Sequence, residues 1–320
     1  MRQRILAKLY ELKGTPVSGN DLAEELGISR VAVWKHIDAL KQEGYDITGV
    51  SGKGYSLNDW TSVIWPDEII KNLNSGLVKQ ILFYPTLNST NELAKELLAN
   101  KKAKEGLVIV AGRQTSGKGR LGRVWESPAG GLWFSIILSP KLPLHELPLL
   151  SLVLAVAVAS ALDEFLDTTC GIKWPNDVFI NDKKIAGILL EVSGQVDNID
   201  SVIAGIGINI NISPDIWSSA TKNIATSLFE VTSRPIPNNI ILPVVLSHIE
   251  KYYNLFITNG FAPIREVFKE RCVHLNKKVS VKQVNKLVTG INTDIDNQGN
   301  MVVKVGNDIV CITTGDVKII

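Results

Sequence analysis

Gly112-Arg-Gln-Thr-Ser-Gly-Lys-Gly-Arg-Leu-Gly-Arg-Val-Trp125 packs four glycines and four basic residues ahead of a tryptophan. Glycine lets a backbone approach a ligand closely. Lys118, Arg120 and Arg123 add positive charge where backbone N–H groups can also face an anion. The chemistry on offer is a cradle for phosphate or carboxylate; the plain alternative is a solvated basic loop. Two phosphate motifs nearly fit. Gly117-Lys-Gly-Arg-Leu-Gly122 spells the dinucleotide glycine pattern, and residues 112–118 spell a P-loop whose closing Ser or Thr is replaced by Gly119. Both require a helix to start inside the glycines. Here the run continues into Glu126-Ser-Pro-Ala-Gly-Gly131 and the strand-like Leu132-Trp-Phe-Ser-Ile-Ile-Leu138, so the loop is expected between strands, with no helix starting in it.

Further polar residues stand at the ends of apolar segments. Ser89, Thr90 and Asn91 open a helical pattern and on their own read as a cap. Lys173-Trp-Pro-Asn-Asp177 is a poor central strand and is expected as a strand end of special shape. Asp177 is the one carboxylate of that turn, and Lys184 opens the returning apolar strand, where a lysine usually keeps its head at the sheet rim. Asn209 lies inside the buried, glycine-interrupted run Ser201-Val-Ile-Ala-Gly-Ile-Gly-Ile-Asn-Ile-Asn211 and needs a hydrogen-bond partner from the fold or a ligand. No Ser/His/Asp or Cys/His arrangement and no H-E-x-x-H are readable, so hydrolysis by an enzyme nucleophile is unsupported. An anion loop, a lysine, an aspartate and polar caps suit transfer between two bound substrates at a phosphate.

The elements that must position these groups follow from the pattern. At 320 residues the chain expects two or three domains. A hydrophobic fraction of 45% and a charged fraction of 21% are those of a globular protein, and a net charge of +2 leaves any nucleic-acid contact to local patches. Residues 148–162 are apolar but short for a membrane span and fit a core helix, in a helical stretch ending near Leu166. The N-terminus lacks the apolar core of a signal peptide. Cys170, Cys272 and Cys311 are odd in number and far apart, without metal spacing. A reduced, cytoplasmic protein with no membrane partner is expected.

In the first sixty residues, Ile5, Leu6, Leu9 and Leu12 fall at helical spacing; Ser18 caps a second helix, and Ser29 caps a third that buries Val33, Ile37 and Leu40. Gly27 occupies the tight turn. A hairpin around Ser51-Gly-Lys-Gly54 follows, which makes the unit a winged helix-turn-helix presenting Arg30, Trp34 and Lys35 from its recognition helix and Lys53 from its wing to DNA. A protein-interaction module is the alternative. Beyond a helix over 263–271, short strands separated by turns read as a small β-barrel.

Taken in order, Asn-Ser-Thr-Asn91, the basic loop to Trp125, Lys-Trp-Pro-Asn-Asp177, Lys-Ile-Ala-Gly-Ile-Leu-Leu-Glu191 and Gly-Ile-Gly-Ile-Asn209 resemble the motifs of biotin–protein ligases. With the helix-turn-helix, nearly the whole chain resembles the bifunctional bacterial ligases that also repress the biotin operon. One departure is visible: the family's loop usually reads Gly-Arg-Gly-Arg, and Lys118 takes the first arginine's place. Lysine keeps the charge and loses the planar fork, which bears on loop affinity rather than on the kind of function.

The resemblance implies an α+β multidomain fold: a winged helix over 1–60, a mixed-sheet ligase domain related to class II synthetases over 61–270, and an SH3-like barrel over 271–320. It implies that biotin's carboxylate attacks the α-phosphorus of ATP, with Mg²⁺, to give biotinyl-5′-adenylate, and that a lysine of a biotin carboxyl-carrier domain then takes the biotin. Ser89, Thr90 and Gln114 would hydrogen-bond the ureido ring, and Asn91 would belong to the biotin site with them. Gly117, Lys118, Gly119 and Arg120 would close over biotin and acyl phosphate, with Arg123 as support. Lys184 would meet carboxylate and phosphate, Gly187 would form the biotin wall, and Trp125 and Asn209 would lie on the nucleotide side. Asp177 is the candidate for a Mg²⁺ or lysine contact, and Lys184, Arg120 and Asp177 form the catalytic set. The adenylate would act as corepressor, driving a homodimer onto operator DNA. Two readings compete: a lipoate-type ligase, and a ligand-sensing regulator without ligase activity.

Overall fold

The computed structural model describes residues 1–195, 198–283 and 286–320. Three helices and a hairpin come first. α1 (Arg2–Glu11) buries Ile5, Leu6 and Leu9. α2 (Gly19–Leu26) starts at Ser18, whose hydroxyl accepts the Asp21 N–H at 3.0 Å, and ends at Gly27 in the left-handed region. α3 (Arg30–Gln42) starts at Ser29, which accepts from Ala32 N–H at 3.2 Å, and buries Val33, Ile37 and Leu40. β1 (Ile47–Val50) pairs antiparallel with β2 (Gly54–Leu57) as the wing. These elements share one apolar core.

The connection to the next part is polar and specific. The half-buried Asp59 accepts the Ser62 hydroxyl at 2.8 Å, and Ser62 Oγ accepts the Gly130 N–H at 2.9 Å. Asn239 donates to the Val63 carbonyl at 2.8 Å and accepts from the Trp65 N–H at 2.9 Å, while Tyr10 meets Trp60 and Trp65 edge-on.

The middle of the chain runs α4 (Pro66–Asn72), β3 (Gln80–Leu87), α5 (Thr90–Ala99), β4 (Leu107–Gln114), β5 (Leu132–Leu138), α6 (Leu149–Asp163), β6 (Gly171–Lys173), β7 (Asp177–Ile180), β8 (Lys183–Gln195), β9 (Asn198–Ile208), α7 (Leu228–Thr232), α8 (Asn238–Asn259) and α9 (Ala262–Arg271). Seven strands form a mixed sheet in the order β3-β4-β5-β9-β8-β7-β6, parallel only between β3 and β4. α6 is buried on every side because it lies between the sheet and α8. The stretch 144–163 is long and apolar enough to cross a membrane by composition, which the shorter reading over 148–162 did not anticipate; in the fold it is mostly enclosed. The helix ends at Asp163, three residues before Leu166.

β10 (Lys278–Lys282), β11 (Leu287–Ile295), β12 (Met301–Val305), β13 (Asp308–Ile312) and β14 (Asp316–Ile319) make a five-stranded antiparallel sheet ordered β13-β12-β11-β10-β14. Val279, Val281, Ile295, Met301 and Val303 join the core of the middle region, so apolar burial is continuous across the two. β14 and the 22-residue α8 have no counterpart in the sequence reading.

Candidate functional site

The basic loop begins inside a strand. Gly112, Arg113 and Gln114 are the last residues of β4, and the chain leaves the sheet only at Thr115. No α-helix starts within the loop, which holds a single 3-10 turn at Arg120–Gly122 with Leu121 at φ 56°. Backbone contacts of Gly119 N–H to Arg123 O at 2.8 Å and Trp125 N–H to Gly117 O at 3.0 Å fold it back on itself.

That fold lays the Trp125 ring on a floor of glycine. Gly187 and Gly207 are directly opposed partners on β8 and β9. A Cβ at Gly207 would stand 2.5 Å from Trp125 Nε1, and one at Gly187 would stand 3.0 Å from the ring edge. Only the absence of side chains lets the indole lie there. Its Nε1–H is buried without a partner, as is that of Trp217. Lys184 Nζ sits 4.8 Å above the ring and 2.6 Å from Asp177 Oδ1. Lys184 is therefore the second residue of β8, turned over the tryptophan and ion-paired; Lys183 opens the strand and pairs with Glu230 at 2.8 Å.

At the other end of the floor the helix start is not spent on capping. Ser89 holds the N-cap position of α5, yet its hydroxyl makes no cap bond. The Thr90 N–H goes to Gln114 Oε1 at 2.8 Å, and Gln114 Nε2 donates to Ser127 Oγ at 3.0 Å. The cap reading of Ser89, Thr90 and Asn91 thus fails for Ser89. Ser89 lines the same cavity as Thr90, Asn91 and Gln114.

The Lys173–Asp177 turn closes a third side. Lys173 pairs with Asp177 across β6 and β7, and Asn176 Nδ2 donates to the Ile188 carbonyl at 2.6 Å. Asn176 Oδ1 accepts from Arg120 Nη1 at 2.9 Å, which ties turn to loop. Trp174 N–H donates to His274 Nε2 at 2.9 Å. Nδ1 must then carry the imidazole proton, so Asn292, whose amide meets it at 2.8 Å, has to present its oxygen, which otherwise lacks a donor. Burial pushes the His274 pKa down to about 4, so the ring is neutral.

The cavity enclosed by these groups measures about 370 Å³. Burial lowers the pKa of the Arg120 guanidinium and of the Lys173 ammonium, each offset in part by Asp177. Desolvated cations in excess of their carboxylate partners favour an arriving anion. Arg123 turns outward and ion-pairs with Asp316 of β14, and Lys118 pairs with Glu92 of α5 at 2.8 Å. Asn209 is buried, donating to the Thr226 carbonyl at 2.9 Å with its Oδ1 unpartnered. Asp177 is neutralised by Lys184, and among the described residues no three His, Cys, Asp or Glu side chains converge on one point. Mg²⁺ usually takes one or two carboxylates together with substrate phosphates, so Asp177, which lines the cavity, is the carboxylate of the Lys173–Asp177 turn that would hold such an ion.

Several lining residues carried no signal in sequence. Lys173 sat inside a recognised motif without a role. Trp217 and Thr221 come from the 213–225 segment, which Glu126 latches by accepting from Ser218 N–H at 3.2 Å and Thr221 Oγ1 at 2.5 Å. Gly315 and Asp316 arrive from the C-terminal sheet. Far from the cavity, Arg30, Trp34, Lys35 and Lys53 are all exposed, the first three on one face of α3.

Comparison with known proteins agrees with this geometry. The biotin/lipoate A/B protein ligase family matches residues 83–209, and an HTH domain matches residues 2–56. The chain is 37% identical to the bifunctional ligase/repressor BirA of Bacillus subtilis over 98% of its length and 97% of that protein's. It is 30% identical to the protein of the same name from Escherichia coli K12, covering 90% of this chain and 88% of that one. A biotin protein ligase from Aquifex aeolicus, solved in complex with biotin and ATP, superposes with a TM-score of 0.67 at 32% identity, covering 75% of this chain and 98% of that one.

Proposed function

The chain belongs to the family of bifunctional biotin–protein ligases and repressors, and we propose on that premise that it makes biotinyl-5′-adenylate from biotin and ATP. It then passes the biotin to a lysine of a biotin carboxyl-carrier domain. The observation that carries this reading is a single cavity with a hydrogen-bonding wall at Ser89, Thr90 and Gln114, a glycine floor under Trp125, and a cationic wall at Arg120, Lys173 and Lys184. A ring rich in amide groups, an apolar chain and a carboxylate need those three surfaces together.

Ser89, Thr90 and Gln114 take the ureido ring, Asn91 backs them in the biotin site, and Gly187 leaves room for the chain. Lys184 moves from Asp177 toward the carboxylate and α-phosphate as both anions enter. One unit charge at about 4 Å contributes roughly 4 kcal/mol at an effective dielectric near 20, so Lys184, Arg120 and Lys173 together offset much of the repulsion between two anions. Trp125 and Asn209 lie on the nucleotide side. Gly117, Lys118, Gly119 and Arg120 cover the mixed anhydride and keep water from it, with Arg123 bracing the loop.

We take residues 1–60, 61–270 and 271–320 as the three domains, the middle one related to class II synthetases and the last an SH3-like barrel. Arg30, Trp34, Lys35 and Lys53 contact operator DNA. The winged helix is nearly balanced in charge, so two copies are needed for a firm grip, and the adenylate supplies them by driving a homodimer. The site of action is the cytoplasm. Pyrophosphate exchange tests the reading against a lipoate-type ligase and against a regulator without ligase activity. Exchange driven by biotin supports it; exchange driven by lipoate alone, or by neither acid, refutes it.

A further inference from the structure

Behind Thr90 lies a network, buried at Asn91 and Ser135 and reaching the half-exposed Glu191 and Lys95, whose protons can be counted. Glu191 of β8 is engaged at both oxygens, Oε1 by Lys95 Nζ at 2.7 Å and Oε2 by Asn91 Nδ2 at 2.7 Å. The hydrogen bond to Glu191 raises the Lys95 pKa above its ordinary value, so the ammonium persists beside the carboxylate. An ionised carboxylate only accepts, which forces the Asn91 amide to turn its nitrogen toward Glu191. Asn91 Oδ1 then faces Ser135 Oγ at 2.6 Å. Two acceptors cannot share that contact, so Ser135 gives its only hydrogen to Asn91. Toward Thr90 Oγ1, 2.7 Å away, Ser135 has lone pairs alone, and Thr90 must donate inward. Gln114 Oε1 is already supplied by the Thr90 N–H at 2.8 Å and stands farther from the hydroxyl, at 3.2 Å. Thr90 is left with lone pairs for the cavity and no hydrogen.

The strand geometry is cut to seat this relay. A Cβ at Gly205 would lie 2.3 Å from Asn91 Oδ1, so β9 omits a side chain where the amide packs. Asn91, Thr90 and Ser135 are 4%, 3% and 0% exposed, so water is not there to supply a missing proton.

Given that the pocket holds the ureido ring, as argued above, we propose that Glu191 is a specificity-determining positioning residue. Through Asn91 and Ser135 it fixes Thr90 as a hydrogen-bond acceptor, and the pocket thereby selects a ligand that presents a ring N–H. Glu191 touches no ligand itself; it sets the direction of every hydrogen bond between itself and Thr90.

Glu191→Gln tests the relay with almost no change of shape. Lys95 keeps the amide oxygen of the new side chain, so its NH₂ faces Asn91. Asn91 then turns its oxygen toward that NH₂ and its nitrogen toward Ser135, Ser135 donates to Thr90, and the Thr90 hydrogen turns from Ser135 to the cavity side, where Gln114 Oε1 at 3.2 Å or an acceptor on the ligand takes it. The assay is titration calorimetry of the full chain with biotin and with the two cyclic carbamates in which one ring N–H is replaced by oxygen. Wild type should favour biotin over at least one carbamate by on the order of 10- to 100-fold, since that ligand sets oxygen against an acceptor. In Glu191→Gln the preference should fall to within about threefold. Ser135→Ala, which removes the inward acceptor of the Thr90 hydrogen, should lower it as well and covers the case in which the first variant fails to fold. A merely structural role for Glu191 weakens all three ligands alike and leaves the ratio unchanged. An unchanged ratio in a variant that still binds biotin overturns the proposal, as does a wild type without the preference. A wild type that binds no biotin overturns the functional reading instead, and this inference with it.

Discussion

Gly207→Ala should disable the site while sparing the fold. The added methyl would stand 2.5 Å from Trp125 Nε1 and 2.7 Å from Cε2. Carbon contacts settle at about 3.5 Å or more, so the indole must rise by about 1 Å. Lys184 rests 4.8 Å above that ring and loses its seat with it. Overpacking of this kind costs about 1–3 kcal/mol. Because Trp125 belongs to a loop and Gly207 to the centre of a sheet, the cost should fall on the loop. That range corresponds to a loss of about 5- to 150-fold in kcat/KM for biotin. Pyrophosphate exchange at varied biotin measures it, with thermal melting as the check on the fold. Gly49→Ala is the matched control, because a Cβ there meets nothing within 4 Å, and its kinetics should equal wild type. Wild-type kcat/KM in Gly207→Ala would refute the idea that the glycine floor exists to seat Trp125 and the ligand beside it.

Lys184→Ala should lower the rate of pyrophosphate exchange by at least tenfold with little change in melting temperature, because its ammonium serves Asp177 and the incoming anions rather than the core; unchanged exchange kinetics would return Lys184 to a rim lysine. His274, neutral in the fold with a pKa pushed down to about 4, contributes stability that is complete above pH 6.5 and is lost as pH falls through 4. Denaturant titrations of His274→Gln and wild type from pH 7 to pH 4 should therefore converge by about 3 kcal/mol. Taking the difference cancels Asp59, whose burial raises its carboxyl to about 6 in both proteins. Arg30→Ala with Lys35→Ala should abolish operator binding and leave biotin transfer intact, as gel shift and carrier labelling will report. Wild-type operator binding across protein concentration should steepen with biotinyl-adenylate; equal binding by a monomer with and without it contradicts the dimer switch.

What was legible in sequence was local. Ser18 and Ser29 cap α2 and α3 in the structure as their spacing implied, and Gly27 takes the left-handed turn between them. The basic loop lies between strands because nothing after Gly122 could start a helix. α8 escaped notice because Pro243 lies inside it; the proline removes one backbone donor, and burial of Ile241, Leu242, Val245 and Leu246 overrides that cost. Residues 148–162 were legible as a core helix by their length and alanine-rich apolar composition, and the helix is enclosed between the sheet and α8. At the site, Thr90, Lys184 and Asp177 could be picked out by type and position. Their partners could not. Ser135 and Glu191 stand 45 and 101 positions from Thr90 in sequence, and Asp316 reaches Arg123 from the far end of the chain, so only the sheet order brings them together.

The central claim is that this chain joins biotin to AMP. A single turnover with α-labelled ATP, biotin and excess protein isolates that step from transfer and from DNA binding. The account predicts labelled biotinyl-adenylate held by the protein in up to equimolar amount, discharged on adding a carrier domain with loss of AMP. ATP left intact in the presence of biotin, or AMP released with no acyl-adenylate at any time, would contradict it.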